Sequence, residues 1–404
     1  MMRISTLLFM LITADVFALD LAELQALGMA NSELLKAEEM EARALRSEKE
    51  LAGRLQNPQL MSQIGSIRSG GAEGSTLEMS ITQAIPLSQK NTLKKDVAEL
   101  AISSQKTEIE YFKRWVSHQV TLAAWRTYVK HELFLHGSER ARRFGLIKKY
   151  LETSPRVSTK QKVELSIITS QLIQLEKDQD IKKYEAAIAL NDLEFWVGKK
   201  LEASELKLVI PMRFREVSAD LTDTSASLEL QQTRRQLQMT QTELKLAKSE
   251  RAPDLYIGGG YRVENLAPNN HFSYAIVGLN IPIWDTGSKR VEVTRAREMR
   301  DKSRVSQKER ELLLKQKNQI ELIKMSTQQL KRFSLKLVDQ SEKTVVEAER
   351  GFRQGVVDVT TFLQAENQTH EIVDQVYTSW LSYLENLSPY QLMRSENLSW
   401  EPSL

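Results

Sequence analysis

Cysteine is missing from all 404 residues. Disulfides, thiolate metal sites, thiol catalysis and lipidation on an N-terminal cysteine are therefore excluded. Long apolar runs are missing as well. Beyond the N-terminus no segment approaches 18 consecutive apolar residues, so no transmembrane helix is expected. Aromatics are sparse at 7% while charged residues reach 27%. That mix suits long solvated helices better than a large globular core. Neither sign of charge dominates, since 56 Lys plus Arg face 53 Asp plus Glu for a formal net charge of +3. Such a balance gives no electrostatic reason for a nucleic-acid partner. Proline is absent from Gln89 to about Tyr150 and again from Ser288 to Gly355.

The N-terminus reads as a secretory signal over residues 1–18. Arg3 supplies a positive start, Ile4 to Ala14 an apolar stretch, and Val16 and Ala18 small residues at the cleavage positions. A buried N-terminal helix is the alternative. Cleavage after Ala18 would remove Arg3 and Asp15 together and leave the net charge at +3. A secreted chain without a membrane helix either stays soluble or inserts as a β-barrel.

The chain repeats itself. Asn57-Pro58-Gln59-Leu60 closes a helical run, as Ala252-Pro253-Asp254-Leu255 does 195 residues later. Ile85-Pro86-Leu87 ends an alternating segment, and Ile281-Pro282-Ile283 does so 196 residues later. Asn91 and Gly287 share that offset, and both types tolerate left-handed backbone, so Pro86, Asn91, Pro282 and Gly287 mark two expected strand-to-helix turns.

Between these marks lie strand signals. Leu77, Met79 and Ile81 alternate with Glu78, Ser80 and Thr82, and Ala275, Val277, Leu279 and Ile281 share one face opposite Tyr274, Gly278 and Asn280. Four strands are predicted, at about 58–68, 75–87, 253–263 and 272–284, joined as two hairpins by Gly70–Gly74 and Glu264–Asn270. Each has about the ten residues a tilted strand needs to cross hydrocarbon. Hairpins in a soluble domain would alternate in the same way.

The remainder reads as helix. Leu93, Val97 and Leu100, then Ile109, Phe112 and Val116, recur at helical steps, as do Leu313, Ile320, Ile323, Leu330 and Leu337 with Gln316, Thr327 and Ser334 between them. Long helices are expected over about 89–150 and 288–354. Shorter ones are expected at Leu19–Gln56, Val157–Val197, Thr224–Arg251 and Val356–Leu387. The first repeat spans 19–200, a linker 201–223, and the second repeat 224–404. Sixty helical residues would extend about 90 Å, a reach no compact domain needs.

With these parts in place, the chain resembles the TolC-type outer-membrane efflux proteins over nearly its whole mature length. The match rests on Pro58 and Pro253 before the odd strands, the Val277–Trp284 exit with Gly287 following, and Gly351-Phe352-Arg353-Gln354-Gly355 leading to Phe362-Leu363-Gln364-Ala365. The resemblance implies a mainly α protein with transmembrane β: a long antiparallel α-helical barrel plus four strands of a trimeric 12-stranded β-barrel. It further implies a homotrimer in outer-membrane lipid, its helical part in the periplasm, meeting a periplasmic adaptor and an inner-membrane transporter at tips near Arg156 and Gly355. Open strand edges give an independent reason for the oligomer, because four strands cannot close a barrel in lipid. Some family members narrow the entrance with acidic side chains beyond the tip glycine. Here those positions are Thr361 and Gln364, so Arg353 and Asp358 are the charged candidates at the entrance. Arg156 stands where a glycine is common.

No catalytic, cofactor or metal constellation emerges. His118, His131, His136, His271 and His370 form no ligand spacing and are expected to be packing or helix-surface residues. Gly258-Gly259-Gly260 lacks the Gly-Lys-Ser/Thr ending of a phosphate loop and opens no helix, so strand crowding is its expected cause. Trp115, Trp125 and Trp196 fall in helical stripes, and Tyr256, Tyr261, Phe272, Tyr274 and Trp284 lie in or beside the expected barrel. The reading is a passive export channel without enzyme activity. The alternatives are the outer-membrane component of one-step (type I) protein secretion and a soluble periplasmic coiled-coil scaffold. The cargo, whether drug, metal or protein, is left open.

Overall fold

The computed structural model describes residues 19–69, 72–153, 158–217, 223–265, 269–281 and 283–401. The expected signal at 1–18, Arg156 and Pro282 lie outside those ranges. Two helices, α1 (Leu21–Asn31) and α2 (Glu33–Leu51), lead into β1 (Gln59–Ser69) and β2 (Ala72–Pro86). Then come α3 (Lys90–Glu152) and α4 (Thr159–Val197). The second half follows the same plan with α5 (Leu228–Ser249), β3 (Asp254–Asn265), β4 (Asn270–Asn280), α6 (Ser288–Arg332), α7 (Leu335–Arg353) and α8 (Val359–Met393). Among the described residues no helix is long and apolar enough to cross a membrane.

The four strands form one antiparallel sheet in the order β1-β2-β3-β4. The register joins the two hairpins directly, with Leu77 opposite Val263, Ile81 opposite Gly259 and Pro86 opposite Asp254. Side chains alternate across a sheet, so register decides each residue's face. Leu60, Ile64, Leu77, Met79, Ile81, Ile257, Tyr261, Val277 and Leu279 share one face. Much of it lies open, with Ile64 82% and Val277 75% exposed. The opposite face carries Gln63, Glu78, Ser80, Thr82, Arg262, Glu264 and Tyr274. One side is mainly apolar, with Ser62, Gln83 and Ser273 among its residues, and the other carries the charged side chains together with Met61, Phe272 and Ile276.

The glycine triplet has two tight positions. A Cβ on Gly258 would stand 2.2 Å from the Ile81 carbonyl oxygen, and one on Gly260 would stand 2.2 Å from the Tyr274 ring. Strand crowding explains Gly258 and Gly260, the second through Tyr274, while a Cβ on Gly259 would meet nothing nearer than 3.6 Å.

The 63 residues of α3 extend about 95 Å at 1.5 Å per residue. The helix expected to run unbroken over 288–354 is interrupted, because Phe333 leaves helical geometry (φ −100°, ψ 86°) and Ser334 takes an extended N-terminal cap. The local sequence explains the stop. Lys331 and Arg332 fill the last turn, where cations suit the helix dipole, and Ser334 takes the extended N-cap position of α7 without a side-chain cap bond. Ser32 divides the N-terminal segment by a true side-chain cap, its hydroxyl accepting from the Leu35 N–H at 3.3 Å. The stripe of α6 buries Leu312, Ile320, Ile323 and Leu330 with polar Gln316 and Thr327 among them.

Among the described residues three apolar clusters hold the helices. The largest sits around the middle, where Trp125, Trp380 and Trp400 meet edge to face at 5.2–6.1 Å. The segment expected as a linker contributes Leu201, Leu206, Leu208 and Ile210 to this cluster, and Leu19 pairs with Leu206 in a parallel bridge. A second cluster near the far helix ends joins Phe144, Ile147, Leu151 and Ile168 to Phe352, Val359 and Phe362. A small third one gathers Leu230, Leu312 and Met393. Pro389 lies inside α8.

Candidate functional site

Two places in the fold gather the residues that the sequence singled out: the junctions between strands and helices, and the hairpin between α7 and α8. The two strand-to-helix junctions differ although the sequence marks repeat. In the first, Pro86 ends β2 opposite Asp254, and α3 begins four positions later at Lys90, whose ammonium pairs with the Asp254 carboxylate. Asn91, expected in left-handed backbone, instead lies in the first turn of α3 with no positive φ. In the second, six positions separate Pro282 from the start of α6 at Ser288, and Gly287 takes the left-handed conformation (φ 69°). The longer exit, residues 281–287 against 87–89, reverses through Gly287, and the shorter one does without such a turn. The Asp285 side chain accepts from the Gly287 N–H at 2.9 Å. Arg290 then reaches Glu250 at 3.0 Å and Asp285 at 3.7 Å.

At the other end of the helices, Gly355 is left-handed (φ 73°), and a Cβ there would touch nothing within 4 Å. Two bonds close the turn: Val356 and Val357 N–H groups donate to the Gly351 carbonyl at 2.9 and 3.1 Å. Gly351 is the crowded member of the pair, since its Cβ would meet Val357 Cγ2 at 2.6 Å. Asp358 caps α8 by accepting from the Thr361 N–H at 2.7 Å, a bond that holds its carboxyl below the usual range. Arg353 pairs with Glu349 at 2.6 Å and lies over the Tyr150 ring at 5.8 Å. The Tyr150 hydroxyl donates to the Arg353 carbonyl at 2.8 Å, tying the end of α7 to α3. Thr361 and Gln364 line a groove between α7 and α8 with Gln340, Thr344 and Gln368. The structure therefore gathers Arg353, Gly355, Asp358, Thr361 and Gln364 at one helical hairpin. The sheet-side residues Pro86, Asn91 and Gly287 lie at the opposite ends of α3 and α6.

Above the tip cluster runs a buried polar layer that helical periodicity did not show. Glu366, 1% exposed, lies 3.1 Å from Arg143 and 3.5 Å from Arg140, and Arg140 also donates to Asn367. Burial pushes the Glu366 carboxyl up, and the two guanidinium groups oppose that. His136 and His370 stack beside them, ring centroids 5.6 Å apart. Both are pushed down to about 4 by burial, with Arg143 the next cause at His136 and Lys182 at His370. Lys182 pairs with Asp374 at 3.0 Å. The sequence signal was present but ambiguous, because charge at helical spacing usually means a solvated face. His118 is a buried packing histidine, its ring nitrogens 3.0 Å from the Ser388 hydroxyl and 3.1 Å from the Glu396 carbonyl. Among the described residues no three His, Asp or Glu side chains converge as metal ligands.

Neither a family model nor a curated protein sequence matches this chain. Solved structures do. The open state of the Neisseria gonorrhoeae MtrE outer membrane channel is 12% identical with a TM-score of 0.75, over 94% of this chain and 89% of that one. The Campylobacter jejuni CmeC outer membrane channel is 11% identical with a TM-score of 0.75, over 94% and 86%. The Vibrio cholerae outer membrane protein VceC is 10% identical with a TM-score of 0.70, over 94% and 97%. Likeness at this identity is a likeness of fold, and it runs nearly the full length of each chain. The single chain thus has the architecture expected of it, long helices with a four-stranded antiparallel sheet.

Proposed function

We propose that this chain, built on the fold of outer-membrane channels, is one third of a passive export duct. The observation that carries the reading is the two-faced sheet with unpaired edges. Its apolar face would cost heavily in water at about 25 cal/mol per Å², and β1 and β4 have outer edges without a strand partner among the described residues. Three copies give 12 strands, each edge meeting the next chain's, so the backbone is satisfied in lipid. An 11-residue strand such as β1, tilted by about 45°, rises roughly 25 Å, the height of an outer-membrane apolar band. The polar face then lines water. Below it α3 and the α6–α7 pair continue the tube across the periplasm.

In this reading no covalent chemistry is performed. Polar side chains keep a wet path, and an inner-membrane transporter supplies the energy through a periplasmic adaptor. Arg156, Arg353, Gly355, Asp358, Thr361 and Gln364 belong to the entrance, where neutral Thr361 and Gln364 argue against an acidic ring. Small molecules or ions are the expected cargo, with one-step protein secretion as the alternative. A soluble scaffold is disfavoured because it would leave the apolar sheet face in water. The test is fractionation combined with export. The reading expects heat-dissociable trimers in the outer-membrane fraction and intracellular accumulation of efflux substrates when the gene is deleted. Recovery as soluble monomer, with export unchanged, would overturn it.

A further inference from the structure

We infer that Glu78, Arg262 and Glu264, held in place by Tyr274, form a charge layer that sets the ion preference of the membrane pore. The inference rests on the channel reading and adds to it a selectivity element within the β-barrel, far from the helical entrance.

The cluster is built across three strands. Gln63, Glu78, Arg262 and Phe272 lie side by side in one row on the polar face. Both oxygens of Glu78 are engaged. Oε1 accepts from the Tyr274 hydroxyl, and Oε2 accepts from Arg262 Nε at 3.1 Å and faces its terminal nitrogen at 3.0 Å. Arg262 also lies 3.9 Å from Glu264. Tyr274 starts on β4 and reaches over β3 to an acceptor on β2. It can do so only because Gly260, its cross-strand partner, has no side chain in the way. A tyrosine laid over a required glycine, toward a carboxylate two strands away, fixes that carboxylate where a bare surface glutamate would wave.

The face assignment gives the cluster its role. In the same levels of the sheet the other face presents Leu77, Met79, Tyr261 and Val263, which belong to lipid. Glu78, Arg262 and Glu264 therefore point into the lumen, and threefold symmetry repeats them around it. One positive and two negative charges per chain leave the layer net negative, by three charges in the trimer. A permeating ion meets this layer at close range, where ionic screening is incomplete.

The test is the reversal potential of purified wild-type trimers in planar bilayers under a potassium chloride gradient. Wild type is expected to prefer potassium. Glu78→Gln removes one negative charge per chain, three in the trimer, and should lower the potassium-to-chloride permeability ratio roughly twofold to threefold. Arg262→Gln should raise the ratio by a similar factor, and Arg262→Lys, which keeps the charge, should restore it. Unchanged ratios, or shifts of the same sign in both glutamine variants, would overturn the inference. So would loss of pores in both, since the cluster would then be structural. A wild-type protein that conducts nothing would overturn the channel reading itself, and the layer with it.

Discussion

Arginine at two adjacent positions of β2 should have opposite consequences. Met79 is the central residue of the 15-residue strand, 47% exposed on the apolar face between Ser62 and Tyr261. Ser80, one residue on, lies on the polar face between Met61 and Gly260. If the apolar face meets lipid, Met79→Arg puts a charge near mid-bilayer, at a cost of about 2–4 kcal/mol per chain. The trimer carries three such charges, so its dissociation should move by roughly 6–12 kcal/mol if the chains contribute independently. Ser80→Arg places the same side chain in the water-filled lumen, with an expected cost under about 1 kcal/mol. The assay is thermal dissociation of purified trimers on semi-native gels, checked by the urea midpoint in lipid vesicles. A large loss for Met79→Arg beside a near-wild-type Ser80→Arg is the expected result. Equal losses, or the reverse order, would refute the assignment of faces and the pore with it.

Three further outcomes are expected. Glu366→Ala strands Arg140 and Arg143 in a buried layer and should cost about 3–5 kcal/mol, read from the urea midpoint of the helical part by circular dichroism. Gly355→Ala should cost only about 1–2 kcal/mol, the penalty of left-handed backbone, because its Cβ has open space; Gly351→Ala should cost more through its clash with Val357. His136 and His370 have folded values pushed down to about 4 against 6.5 in the unfolded chain. Between those values the unfolded state binds more protons, so their contribution is present above pH 6.5 and is lost as pH falls toward 4. The double variant His136→Gln/His370→Gln should flatten the stability curve in that window. Glu366, shifted upward, acts with the opposite sign, but it is common to both proteins and drops out of the difference.

What could be read from the sequence followed from short-range order. Leu77, Met79 and Ile81 alternate because one face of a strand is apolar, and no partner strand is needed to see it. Gly287 announced its turn through residue type alone. Asn91 shares the repeat offset of Gly287 but not its turn, because the first exit spans only residues 87–89 and the second residues 281–287. The break at Phe333 was hidden inside an apolar stripe that continues on both sides. Its signals, Lys331, Arg332 and Ser334, are common on any solvated helix. The Glu366 layer and the Tyr274–Gly260–Glu78 arrangement depend on the positions of separate helices or strands. Glu78 and Tyr274 are 196 residues apart, a separation no local pattern spans. Long-range contact, not residue chemistry, is what the linear reading lacked.

The central claim is that the open edges of β1 and β4 meet in neighbouring chains and close after three. The cysteine-free background allows a direct test. Ser62→Cys on β1 would be combined in turn with Ser273→Cys, Ala275→Cys or Val277→Cys on β4, all on the apolar face, to sample the unknown register between chains. Oxidation of membranes should give at least one variant a ladder of two and three chains that stops at three. Cross-links confined within single chains, or a ladder that continues past three, would contradict the account.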